Sequence, residues 1–388
     1  MFRLRFKRRN LFQIFGLALF FILAWQTRYP LHLKGWSNIF FRLDPFLGIT
    51  AGLAAKAVVI SFWPALLLLA LTLFWGRFFC WNICPLGACI DLASFLSARK
   101  HWRKSPRLKF LFTVQISVLV IFLVLAGFGL AGIIQQFDPL SISSGMLLSL
   151  PGLILFLAII FVSTVFPRFW CFNLCPLGAI LELGTRVGKK IKNRPAAFDL
   201  YRRQFLSALF FGLLAGGGLK IRKKEKMAGR ILRPPAARKE TEFTSFCVRC
   251  GECVKVCPSH GLKPCFLETG LEGLGTPRLI PRIGACELCF LCYQVCPSSA
   301  IKKTQLGQFK IGTAQIDRNR CLAWGQGKLC LVCMEYCPVT AIRLDNEKRP
   351  IVNETVCIGC GSCEKQCPVP EEAAIVVFNR GEIRGKVV

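Results

Sequence analysis

Sixteen cysteines between residues 247 and 367 obey one spacing grammar, and nothing else in the chain constrains it as tightly. The first run is Cys247, Cys250, Cys253 and Cys257, followed by Pro258. The second is Cys286, Cys289, Cys292 and Cys296, followed by Pro297. The third, Cys321, Cys330, Cys333 and Cys337 before Pro338, lengthens its first gap. The fourth is Cys357, Cys360, Cys363 and Cys367, before Pro368. Three closely spaced thiolates wrap one iron–sulfur cube, and the fourth, ahead of proline, leaves the loop to ligate the neighbouring cube. The sixteen cysteines are therefore predicted to hold four [4Fe-4S] clusters. A disulfide framework does not place so many cysteines in one grammar. Zinc sites show two separated C-x-x-C pairs, without the triple and its C-P. Sequential exchange pairs the first run with the second and the third with the fourth. A nested exchange uses the same ligands, so spacing leaves both open. Cys265 falls outside the grammar and reads as a buried thiol.

The rest of the chain has a different character. Of 22 cysteines, only Cys80, Cys84, Cys89, Cys171 and Cys175 precede residue 220. The 388 residues carry a formal charge of +30, a balance that in a polar protein suggests nucleic acid, but 53% of them are hydrophobic. Mean hydropathy is +0.48, and Phe, Leu, Ile and Val abound throughout, which argues against disorder. No nucleic-acid motif is present, and none is expected to bind.

Four apolar runs, Leu11–Gln26, Ala57–Phe79, Phe110–Ile134 and Gly152–Phe166, predict four membrane spans. Basic residues crowd residues 3–9, 99–109 and 186–194, which places the N-terminus and the even-numbered loops in the cytoplasm. A repeat runs through this half. The sixteen residues from Arg77 match those from Arg168 at ten positions, including Cys80 with Cys171 and Cys84-Pro85 with Cys175-Pro176. Asp44-Pro45 and Asp138-Pro139 repeat as well. The expected unit is a helical hairpin used twice. Two thiols in each C-x3-C-P suit a redox-active or cluster-binding centre, so Cys80, Cys84, Cys171 and Cys175 are candidate catalytic residues. The Asp-Pro pairs read first as helix caps, with proton acceptance as a second role. His32, His101 and His260 all lie outside the apolar runs, so a bis-His haem within them is excluded.

Between the halves, Tyr201-Arg-Arg-Gln-Phe-Leu precedes a Gly/Ala-rich apolar stretch, a twin-arginine (Tat) type signal in an internal position. It favours a periplasmic ferredoxin domain, whereas the basic stretch Lys220–Lys239 favours the cytoplasm. The expected fold class is a membrane α-helical domain of four helices in two repeated hairpins over 1–196, and an anchoring helix with a basic tether over 197–242. An α+β bacterial-ferredoxin-like domain with four [4Fe-4S] sites follows over 243–388.

The first half resembles NapH-type quinol dehydrogenase components, through its paired C-x3-C-P-L-G motifs. The remainder resembles NapG/MauM-type polyferredoxins, through Leu232-Arg-Pro-Pro-Ala, Cys247-Val-Arg-Cys-Gly-Glu-Cys, Gly275-Thr-Pro and the long-gap third run. The resemblance implies a fusion in the bacterial inner membrane that oxidises quinol and passes electrons through the clusters to a periplasmic partner, a cytochrome or molybdoenzyme. Lipid and the quinone pool would be its other partners. Two alternatives stay open: a cytoplasm-facing ferredoxin module exchanging electrons with the membrane pool, and an electron-donating assembly factor for a metalloenzyme. The pattern departs from NapH-type proteins in lacking their own terminal pair of ferredoxin runs.

Overall fold

The computed structural model describes residues 8–30, 38–96, 109–145, 150–166, 168–191, 202–221, 231–266 and 268–384. Most of the basic residues used to orient the first half (3–7, 99–107 and 192–194), His32, His101 and the middle of the basic tether lie outside these. The chain divides into two compact units. The first comprises residues 1–26, 36–224 and 245–250, and the second comprises 27–35, 225–244 and 251–388, so the division falls inside the first cysteine run.

The first unit is helical, and its repeat extends through six elements. In the first copy these are α1 (Arg8–Gln26), α2 (Ile39–Arg42), α3 (Pro45–Ala55), α4 (Trp63–Trp75), α5 (Phe78–Asn82) and α6 (Pro85–Leu96). In the second they are α7 (Lys109–Gly127), α8 (Ala131–Gln135), α9 (Pro139–Gly145), α10 (Leu150–Val165), α11 (Phe169–Asn173) and α12 (Pro176–Ile191). A further helix, α13 (Arg202–Ile221), lies along α7. Two Asp-Pro dipeptides start α3 and α9. Asp44 Oδ1 accepts from the Phe46 and Leu47 N–H groups at 2.8 and 3.3 Å, and Asp138 Oδ2 accepts from those of Leu140 and Ser141 at 2.9 and 3.1 Å. Each satisfies donors that a helix start leaves free, while proline supplies a pre-set φ at the first helical position. Phe46, Leu47, Leu86, Ile90, Leu140, Leu177 and Leu181 fill the core between the copies.

The predicted membrane spans are corrected by this architecture. Among the described residues no helix is long and apolar enough to cross a membrane. A span needs about 20 apolar residues to match roughly 30 Å of hydrocarbon. The apolar run 57–79 breaks at a 3-10 turn (Ile60–Phe62) and again at Gly76 (φ 68°), which leaves α4 with 13 residues, about 20 Å. The run 110–134 turns at Gly129 (φ 84°) after α7, and α10 has 16 residues. The first helix opens on Arg8 and Arg9. The membrane α-helical fold class and the multi-pass inner-membrane location therefore both fall. In the second and third runs, summed hydropathy had counted apolar residues on either side of a turn as one element.

The anchoring helix and Tat-type signal are corrected as well. The twin arginine opens α13, a 20-residue helix that carries Lys220 and four glycines and is built into the first unit. Gly212 and Gly216 allow the close approach to α7. A Cβ on Gly212 would stand 3.3 Å from Val124 Cβ, and one on Gly216 would strike the Phe128 ring.

The second unit has three two-stranded antiparallel ribbons: β1 (Leu262–Pro264) with β2 (Pro277–Leu279), β3 (Thr313–Ile316) with β6 (Ile375–Phe378), and β4 (Ile342–Leu344) with β5 (Pro350–Val352). One-turn helices at Leu291–Gln294, Val332–Glu335 and Ser362–Gln366 carry cysteines of the second, third and fourth runs.

Candidate metal centres

The compact cysteine runs are bent by backbone in the left-handed region. In the first, second and fourth runs the residues flanking the second cysteine have positive φ: Arg249 and Gly251, Leu288 and Phe290, Gly359 and Gly361. This double kink turns the chain back on itself between the closely spaced cysteines. The third run lacks it, with Leu331 at φ −112°, and uses its longer gap to come round instead. That insertion is held by Trp324, which lies between Arg318 and Arg349 at 4.3 and 4.1 Å and donates to Pro350 O at 3.0 Å.

Two cavities in the second unit are each lined by four cysteines. One takes Cys321, Cys330 and Cys333 of the third run with Cys367 of the fourth. The other takes Cys357, Cys360 and Cys363 of the fourth run with Cys337 of the third. Each run thus lends its C-P cysteine to the other, the donor set a pair of cubane clusters requires. Cys257 of the first run stands close enough to Cys286, Cys289 and Cys292 for its charge to act on all three. Nested exchange would instead bring the second run to the third, and these neighbours do not follow it. Cys286 N–H donates to Cys360 O at 2.8 Å, so the second run abuts the fourth. Burial pushes the thiols of Cys286 and Cys333 up to about 12, and Cys292 and Cys363 also rise. Bare thiolates are disfavoured there, and bound iron is what stabilises them.

Cys265 is buried in a different setting. The Arg233 guanidinium beside it is fully buried and donates to Thr276 Oγ1 and Pro277 O at 2.9 Å each. It also pairs with Glu240, which Arg384 reaches at 2.7 Å. This network accounts for Leu232-Arg-Pro-Pro and Gly275-Thr-Pro as structural motifs of the second unit.

In the first unit Cys80, Cys84, Cys171 and Cys175 line one cavity, while Cys89 does not reach it. Cys84 and Cys175 stand immediately before the Pro-led helices α6 and α12, and Gly178 N–H donates to Cys175 Sγ at 3.3 Å. A Cβ at Gly87 would meet Cys80 O at 3.0 Å, and one at Gly178 would meet Cys171 O at 2.9 Å, which explains the glycine of C-P-L-G. Gln115 on α7 donates to Cys171 O and Cys175 O at 3.1 and 3.3 Å. Burial pushes Cys80 up to about 12, and Cys84, Cys171 and Cys175 rise too.

Arg77 and Arg168, which head the repeated motif, line this cavity, and sequence reasoning missed the acidic partner of each. Arg77 of the first copy pairs with Glu182 of the second at 2.8 Å, and Arg168 of the second pairs with Asp91 of the first at 2.5 Å. Arg77 also lies over Phe172, and Arg168 over Trp81, at 5.6 and 4.0 Å. Both contacts are exchanged between copies. The signal was present, since Asp91 and Glu182 occupy one position of the repeat and conserve an acid there.

Asp44 and Asp138 are both buried and close enough for each carboxyl to act on the other, and a proton on one of them would let the two share a hydrogen bond. Burial raises the Asp44 carboxyl to about 6, and burial together with the Asp44 charge raises Asp138 well above the usual carboxylate range. The folded state thus holds protons that the unfolded chain releases above pH ~4. Stability of the first unit is greatest below pH ~4 and falls as pH rises through 6 and beyond. Asp138→Asn, which keeps a good cap, removes one of the two raised carboxyls and should make this fall less steep. Melting of the whole chain between pH 4 and 8 reads it, and an unchanged slope in the variant would contradict the shared proton.

Comparison with known proteins gives these centres their setting. Family models described as 4Fe-4S binding domains match residues 57–104 and 148–195, 242–263 and 350–370, and 286–300. The ferredoxin-type protein NapG of Escherichia coli (strain K12) is 37% identical over 207 residues, covering 48% of this chain and 89% of that protein. The chain belongs to the NapG/MauM family of ferredoxin-type proteins. NapG of Haemophilus influenzae is 35% identical, covering 50% of this chain and 77% of the relative. The methylamine utilization ferredoxin-type protein MauM of Methylobacillus flagellatus is 37% identical, covering 42% and 75%. The NapG/MauM relationship accounts for about half of the chain, and the expected NapH-type membrane partner in the fusion is not shown. What matches in the first unit is a 4Fe-4S binding domain over each copy of the repeat. No solved structure matches. Electron transfer by a [4Fe-4S] ferredoxin-type protein follows from this membership and these domains.

Proposed function

We propose that the four cysteine runs of residues 247–367 hold a relay of four [4Fe-4S] clusters, fed by a hydroquinone and emptied by a separate redox protein. The clusters, when bound, supply one-electron carriers whose potentials depend on burial and hydrogen bonds to sulfur. The observation that carries the relay is the Cys286 N–H to Cys360 O bond, which supports an order along the chain of runs one, two, four and three. Chain order and relay order then differ. The third run becomes the terminus, where exposed Leu329 and Tyr336 offer an apolar footing to a partner.

The hydroquinone donor is supported by the first unit. An apolar cleft lined by Leu68, Leu71, Trp75, Phe78, Phe79 and Ile83, with Thr72 as its one hydroxyl, lies next in sequence to Cys80 and Cys84. Such a lining suits a flat aromatic ring with few polar groups. Oxidation of a hydroquinone releases two electrons and two protons, so single-electron acceptors must take them in turn. Mixing the iron-reconstituted chain with a menaquinol analogue under anaerobic conditions tests the donor. Bleaching of the iron–sulfur absorbance is expected. Bleaching by dithionite but none by the quinol would overturn the donor and leave the relay standing.

A further inference from the structure

Two cysteines from each copy of the repeat close on one cavity, and the relay of the second unit uses none of them. We propose that Cys80, Cys84, Cys171 and Cys175 hold a single further [4Fe-4S] cluster, shared between the two copies. This goes beyond the second-unit reading and does not rest on it.

The donor set is that of a cubane, four thiols and no other ligand. Four cysteines line this cavity, as four line each of the two second-unit cavities whose cysteines follow the ferredoxin grammar. Four thiols could also take zinc. Among the described residues, however, no three Cys, His, Asp or Glu side chains converge as ligands of one metal ion do. The thiols surround a space rather than a point, and that suits a cluster. Each copy contributes only half of a ligand set, so neither can complete a site alone. The family model matches each copy separately, whereas the geometry assigns one site to both.

The surroundings are prepared for negative charge. Cys84 and Cys175 sit at helix N-termini, where backbone N–H groups point at sulfur, as Gly178 N–H does. Arg77 and Arg168 line the cavity and are fixed there by Glu182 and Asp91. Trp81, Trp170 and Phe172 add an aromatic lining.

The test counts iron and acid-labile sulfide in the whole chain after anaerobic reconstitution. The chain is compared with Cys84→Ser, Cys175→Ser, the double variant and Cys89→Ser. Serine is favoured at a helix cap, so α6 and α12 should still start correctly. Each single variant is expected to lose about four irons and four sulfides. The double variant should lose no more than either single one, because both residues serve one cluster, and Cys89→Ser should lose nothing. No loss in the single variants would overturn the proposal. A loss of about two irons would also overturn it, as would a double variant losing twice as much as a single one. Far-UV circular dichroism and the retained second-unit iron separate ligand loss from misfolding. Absence of second-unit iron in the parent chain would instead sink the relay.

Discussion

Arg233→Met is expected to lower the stability of the second unit by about 3–5 kcal/mol, the cost of breaking a buried charged network from one side. The guanidinium is fully buried, and its donors are matched one by one: Glu240 in two directions, Thr276 Oγ1 and Pro277 O. Its flat face lies 4.9 Å from the Phe243 ring. Methionine fills the volume but leaves a buried hydroxyl and carbonyl without donors. Arg233→Lys should recover little, because one ammonium cannot replace a planar fork that reaches three partners. Glu240→Gln should cost less, since that side chain is 44% exposed and screened by water. The paired arginines hold the Glu240 carboxyl below its usual range, so this contribution is present at neutral pH and is lost as pH falls through the depressed value. Denaturant unfolding of the whole chain, followed by second-unit cluster absorbance, reads the difference. Equal midpoints for Arg233→Met and the parent would show that the network adds nothing.

The second large effect lies in the first unit. Arg168 grips Asp91 through Nε to Oδ1 at 2.7 Å and Nη2 to Oδ2 at 2.5 Å, with the side chains 9% and 19% exposed. Arg168→Met strands the largely buried Asp91 carboxylate, to which the Gln13 amide donates at 2.6 Å, and should cost about 3 kcal/mol. Asp91→Asn removes the charge from the other side and should cost a comparable amount. Together they should cost clearly less than the sum, because the second change removes the stranded charge left by the first. A coupling of about 2 kcal/mol or more is expected from a double-mutant cycle in denaturant, whereas strict additivity would mean that the bridge does not tie the two copies together. The same cycle on Arg77 and Glu182 should behave alike, given the exchanged geometry.

How much of this could be read from the chain varies with the range of the interaction. The cysteine runs were legible because the ligand geometry is written in local spacing, and the kinks beside Cys250, Cys289 and Cys360 are the backbone form of that spacing. The lending of Cys337 and Cys367 between the last two runs was one of two orders the spacing allowed. The contact between Cys286 and Cys360 was not legible, since no periodicity links residues so far apart. The copied C-x3-C-P-L-G motif announced a repeat but not that its halves would face each other across one cavity. Asp91 and Glu182 were overlooked because an Asp-to-Glu change reads as divergence until the exchanged ion pairs are seen. Two of the four membrane spans were misjudged because apolar content was summed across Gly76 and Gly129, where the chain turns.

The central claim is that the clusters of the second unit form one relay in which the second run lies against the fourth. Electron paramagnetic resonance of the dithionite-reduced, reconstituted chain tests it most directly. Neighbouring reduced clusters should broaden one another's signals, and Cys363→Ser, which removes a fourth-run ligand, should sharpen the signal of the second-run cluster that remains. A parent spectrum equal to the sum of sharp, isolated signals, left unchanged in shape by Cys363→Ser, would contradict the relay.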